Sequence, residues 1–181
     1  MRTRALDLPA ALLLLTLASW ATGALAQKVE REIGLRAAEA PAPVQTFLDS
    51  AFAQRRRTRY YRDIGEDAVT VEAKFRLGDT RYSVEFDTLG RWRDTEVEVP
   101  VAAVPAAVWS RACAAWGSRY ERYRVARVQD HTGRAGERYY EIELRGRRER
   151  EWSAFQYRVA PDGTLLDRAE IELSPGHLSR W

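Results

Sequence analysis

Glutamates fall at regular places along this chain: Glu72, Glu85, Glu96, Glu98, Glu141, Glu143, Glu170 and Glu172. Two carboxylates held side by side can do acid–base work. Glycoside hydrolysis needs such a pair, one giving a proton while the other attacks or activates water. A small hydrolase is therefore one reading of these residues. The neighbours argue against it. Each acid stands on the polar side of an alternating segment beside Lys74, Arg76, Arg81, Arg145 or Arg158, the pattern of cross-strand ion pairs on a wet sheet face.

Other chemistry finds less support. His131 lies in the glycine-rich stretch Gln129–Glu137 and His177 near the end, neither with a second ligand at short spacing, so no metal site is expected. No nucleophile elbow, phosphate-binding loop or dinucleotide fingerprint occurs. No cofactor and no catalytic residue is expected, and the chain reads as a non-enzyme. The run RRRTRYYR (Arg55 to Arg62) mixes basic and aromatic residues, but a formal charge of +3 is too balanced for a nucleic-acid binder. Arg55–Arg57 instead suit the end of a helix, where cations complement the dipole. The stretch RGRRERE (Arg145 to Glu151) reads as a solvated connection between strands. Cys113, the single cysteine, excludes an internal disulfide and fits a small apolar residue on a helix.

Residues 1–26 have the order of a secretory signal peptide: Arg2 and Arg4, an apolar run from Pro9 to Trp20, then Ala24-Leu25-Ala26. The run is shorter than the ~20 residues that span a bilayer. Cleavage near Ala26 and a periplasmic or secreted location are expected, without stable membrane insertion.

The elements that would position these residues are written twice. Pro41, Val44, Leu48 and Phe52 match Pro105, Val108, Ala112 and Trp116 at constant offset. Each set is one face of a helix opened by proline. Val69–Leu77, Arg81–Asp87 and Thr95–Val99 alternate as half-buried strands. They match segments around Tyr140–Leu144, Phe155–Val159 and Glu170–Leu173. The expectation is an α+β chain made of two tandem units, 27–99 and 100–174, each a helix on a roughly four-stranded, mostly antiparallel sheet. Residues 175–181 form a tail.

Most aromatic residues keep the parity of the core. Trp92, counted back from Val97, instead falls outward with Asp94, Glu96 and Glu98. Trp152 falls opposite Phe155 and Tyr157, and Tyr139 opposite Tyr140. Outward aromatics among charges mark a protein-binding surface; an extra residue in a strand would instead return such a side chain to the core. Trp92, Trp152, Tyr139, Glu96 and Arg158 are the candidate site.

The assembled pattern resembles the PepSY-like, β-lactamase-inhibitor-like (BLIP-like) family of exported bacterial proteins. The likeness is carried by Pro41-x2-Val44, Pro105-x2-Val108, Tyr139–Leu144, Tyr157-x-Val159 with Asp162-Gly163, and the acidic–apolar tails Glu96–Val99 and Glu170–Leu173. It extends from about Lys28 to Leu173. The resemblance implies a non-enzymatic role in which a sheet face grips another protein of the envelope or exterior, as inhibitor or chaperone-like partner. It names neither the partner nor any catalytic residue.

Overall fold

A computed structural model describes residues 27–28, 31–65 and 68–171. The signal-peptide reading over 1–26 lies outside them, as do Glu172, His177 and the tail.

Proline opens both helices. Pro41 precedes α1 (Ala42–Ala51) and Pro105 precedes α2 (Ala106–Gly117), where the first amides need no intrahelical partner. Val44 and Leu48 of α1, and Val108, Ala112 and Trp116 of α2, are buried. Arg55 closes α1 by donating from Nη1 to the carbonyls of Leu48 at 2.9 Å and Phe52 at 3.3 Å, satisfying acceptors that a helix end leaves open.

The strands are β1 (Gln27–Lys28), β2 (Arg31–Leu35), β3 (Arg56–Ile64), β4 (Val69–Leu77), β5 (Thr80–Asp87), β6 (Trp92–Glu98), β7 (Arg122–Gly133), β8 (Arg138–Arg148), β9 (Glu151–Val159) and β10 (Leu165–Ile171). They form one ten-stranded sheet in the order β1-β10-β9-β8-β7-β6-β5-β4-β3-β2. Strands β2 to β10 are antiparallel to their neighbours, and the short β1 joins β10 in parallel. The expected tandem of two helix-on-sheet units is therefore corrected. Strand β6 pairs with β7 from Asp94–Gly133 to Glu98–Gln129, so among the described residues the two sets of strands are one mostly β structure with two α-helices. The pairing satisfies backbone groups that two separate sheets would have left on open edges.

Two clusters of buried apolar residues form the core. One gathers Val108, Ala112 and Trp116 with Val128, Ile142, Leu144, Tyr157 and Val159; half-buried Cys113 packs against it. The other gathers Val44 and Leu48 with Tyr60, Val71, Ala73, Phe75, Val84 and Phe86. Gly90 fits its turn because its φ is +79° and a Cβ there would stand 3.0 Å from Pro43 Cβ and 3.2 Å from Pro41 Cβ, a contact that prolines at a helix start cannot relieve by rotation.

Two expectations change with the register. Gln129–Gly133 belongs to β7, so His131 is a strand residue and not part of a loop. Strands β8 and β9 run up to a two-residue turn in which Glu149 and Arg150 have φ of 50° and 71°, the left-handed pair of a tight hairpin, so most of RGRRERE is strand. Arg127 reaches the polar face because the β7–β8 register slips between Val125 and Arg127; Val125 stays against the core.

Candidate functional site: the polar face of the sheet

Side chains alternate across a strand, so each core position leaves its neighbours on the other face. Strand pairing aligns those neighbours into rows. One row runs Lys74, Ser83, Glu96, His131, Tyr139. A second runs Tyr61, Glu72, Glu85, Asp94, Gly133. A third runs Glu98, Gln129, Glu141, Arg158, Asp167.

These acids were expected in water. Glu141 and Glu143 are instead buried, at 4% and 6% exposure. The parity was read correctly but the burial was not, because long side chains from adjacent strands cover them. Arg158 Nε lies 3.4 Å from Glu141 Oε2, and Arg127 donates from Nη2 to Glu143 Oε1. Lys74 Nζ stands 2.5 Å from Glu32 Oε1 and 2.9 Å from Glu72 Oε2. Burial opposes the charge of Lys74, but Glu72 and Glu32 prevail and raise its pKa. The Ser83 hydroxyl donates to Glu72 Oε1.

The second row places Glu72, Glu85 and Asp94 directly opposite one another on three strands, an arrangement that costs stability. Glu72 is paired with Lys74 and Glu85 with Arg93, at 2.9 Å and 3.5 Å. Asp94 and Glu96 make no ion pair among the described residues. Burial pushes the Asp94 carboxyl up to about 7, and Glu85 adds to the shift. Burial also raises Glu96 well above the usual carboxylate range, reinforced by Glu141 and Glu72.

Beside them, Gln129 Nε2 donates to Glu96 Oε2 at 2.6 Å. Gln129 and His131 are 4% and 7% exposed, yet Gln129 Oε1 and His131 Nδ1 are buried without a hydrogen-bond partner among the described residues. The His131 ring stacks on Tyr139 with centroids 4.0 Å apart. Burial lowers its pKa to about 4, with help from Arg158. The imidazole is therefore neutral at pH 7. His131 and Gln129 were missed as site residues; their shared parity with Tyr139 and Glu141 was the available signal.

The candidate residues do not all meet. Glu96, Tyr139 and Arg158 come together around His131, with the Arg158 guanidinium 5.4 Å from the Tyr139 ring centre. Trp152 lies on the same face, 41% exposed, with the Arg145 guanidinium 5.9 Å from its ring centre. Trp92 does not belong there. The β5–β6 register slips between Glu85 and Phe86, so Phe86 faces Trp92, and Trp92 packs with the α1 core. Its ring lies 9° from parallel with Phe47, with centroids 6.2 Å apart, and its Nε1 donates to Thr95 Oγ1 at 3.0 Å.

Among the described residues, the acids whose ligand atoms converge closely enough to hold a metal are Glu32, Asp63 and Glu72. The Lys74 ammonium already supplies a cation to two of them. A groove of about 590 Å³ is lined by Pro43, Phe47 and Trp92 beside α1, away from the polar rows. No helix of the described residues is long and apolar enough to cross a membrane.

No protein-family profile matches this chain, and no curated protein sequence does. Solved structures are similar in fold. A Bacteroides uniformis protein of the DUF2874 family superposes with a TM-score of 0.59 at 20% identity, covering 72% of this chain and 89% of that one. A Bacteroides eggerthii protein, named as provisionally periplasmic, gives 0.60 at 20% identity, covering 72% and 88%. A BLIP-like protein of Bacteroides fragilis gives 0.52 at 17% identity, covering 74% and 89%. The fold is thus BLIP-like, and at these identities the likeness is one of fold alone.

Proposed function

We propose that this chain is an exported, non-catalytic protein-binding module that docks another envelope or extracellular protein on the polar face of its sheet. One observation carries the reading. Opposite the helices, the face holds three cross-strand acids at a cost to stability, together with Tyr139, Arg158 and the exposed Trp152. A sheet under selection for folding alone would alternate the charges. The BLIP-like fold and the provisionally periplasmic neighbour agree with this reading, as does the apolar start of the sequence. The role as inhibitor or chaperone-like partner belongs to the same proposal.

The test uses the full chain as bait in an envelope extract, with Trp152→Ala and Arg158→Ala compared against Arg57→Ala on β3. Loss of a captured protein with the first two variants, and retention with the third, supports the polar face. Equal capture by all three would refute it.

A second reading, a small periplasmic hydrolase, rests on Asp94, a carboxyl held at about 7 in the range that suits a general acid. The large groove lies elsewhere, and this reading would be upheld only if Asp94→Asn abolished a measured glycosidase or esterase activity.

A further inference from the structure

Arg93 and Arg127 act on the two acids at the centre of the polar face only from beyond ion-pair distance. Asp94 and Glu96 have no ion-pair partner among the described residues, whereas Glu72, Glu85, Glu98, Glu141 and Glu143 each have one. Directly across from Glu96 stands His131, more than nine-tenths buried, with Nδ1 unpartnered. Gln129 is held toward Glu96 by its own amide, leaving its buried Oε1 unpartnered. Leaving such groups unsatisfied costs stability. All of these groups can accept once a docked cation favours the ionised acids: two carboxyls, an amide oxygen and one nitrogen of a neutral imidazole.

We propose that Asp94, Glu96, Gln129 and His131 form a receptor for an arginine side chain presented by the partner protein. This rests on the polar-face reading above and specifies the chemistry of what docks there. The spread of the acceptors selects the ligand. A metal ion needs ligands converging on one point, and among the described residues the converging set is Glu32, Asp63 and Glu72, without any of these four. Acceptors set out along β6 and β7, at neighbouring register positions, instead suit a planar fork with several donors. Guanidinium has five N–H donors in fixed directions, whereas lysine ammonium is a compact point charge. The incoming cation also gives Asp94 and Glu96 the close ion pair that Arg93 and Arg127, acting from farther off, do not make, and the Tyr139 ring already packs against one guanidinium, that of Arg158.

The experiment titrates the isotope-labelled full chain with the acetylated, amidated peptide Gly-Gly-Arg-Gly-Gly, followed by NMR. Parallel titrations replace arginine with citrulline, its neutral isostere, or with lysine, and a fourth uses calcium chloride. The expected result is saturable shifts at the Glu96, Gln129 and His131 amides and the His131 ring, at least ~10-fold weaker with citrulline and weaker with lysine. Glu96→Gln should lose a similar factor while keeping the unshifted spectrum of the folded chain. Equal binding of citrulline and arginine overturns the proposal without any variant having to fold. So does a calcium response at these resonances in place of the peptide's, or peptide shifts that map elsewhere. If partner capture still depends on Trp152 and Arg158 while the peptide fails, the receptor is refuted and the polar-face reading stands.

Discussion

Trp92 lies almost parallel to Phe47, their ring centres 6.2 Å apart and their planes inclined by 9°. The contact joins strand β6 to helix α1 and gives Trp92 a structural role. Phe47 also meets Phe86 edge-on at 5.4 Å, so removing the indole unsupports two rings. Trp92→Ala should destabilise the protein by about 2 kcal/mol or more, as losses from an aromatic core do. Trp152→Ala, at an exposed hairpin, should cost less than about 1 kcal/mol. Urea unfolding of both variants measures the difference; equal losses would contradict the assigned sides.

Asp94 gives stability a pH dependence of known sign. Its carboxyl is held at about 7 in the folded chain, against an ordinary value of 3.8. Between those limits the folded state keeps a proton that the unfolded state has lost. The Asp94 contribution therefore falls as pH rises from 4 to 7 and is most unfavourable above 7. Asp94→Asn cannot ionise. It should match the wild type near pH 4 and exceed it by on the order of 2 kcal/mol at pH 8. A gap that stays constant from pH 4 to 8 in denaturant titrations would be inconsistent with this.

His131 works in the opposite direction. Its pKa of about 4, against 6.5, means that the unfolded state takes up the proton first as pH falls. Its contribution is complete above 6.5 and is lost on descending toward 4. Arg158 is one cause of the lowering, after burial. Arg158→Gln should raise the NMR titration midpoint of the His131 ring by about half a pH unit or more. An unchanged midpoint would mean that the guanidinium does not act on the ring.

The Tyr120 and Tyr157 hydroxyls are 2.7 Å apart in the α2 core. Tyr120→Phe or Tyr157→Phe alone leaves a buried hydroxyl without its partner and should cost ~1–2 kcal/mol. Replacing both removes the orphan, so the double variant should lose clearly less than the sum, with a coupling of ~0.5 kcal/mol or more. Strict additivity in a thermal-unfolding cycle would show that the pair is not formed.

Local periodicity made much of this legible. The proline-opened helices and the strand Val69–Leu77 stand where their spacing put them. Glu96, Tyr139, Trp152 and Arg158 lie on the face their parity indicated. What local pattern could not carry was pairing at a distance. Whether β6 meets β7 is decided across the whole of α2, and no residue near either strand states it. Register slips were equally silent. The one between Glu85 and Phe86 turns Trp92 inward, and the one after Val125 turns Arg127 outward. His131 was obscured by the glycines that follow it, which read as a loop although the strand continues to Gly133.

The β6–β7 ladder also gives the molecule a seam. On either side lies a core whose buried members are not shared with the other. Parting the sheet along this line opens five register pairs without tearing either interior. The hydrogen bond from Gln129 to Glu96 crosses it, and water can replace such a bond far more cheaply than it can solvate an exposed core. Under load or heating the molecule would hinge there, and anything gripping Glu96 and His131 together would act as a stitch across the fold line.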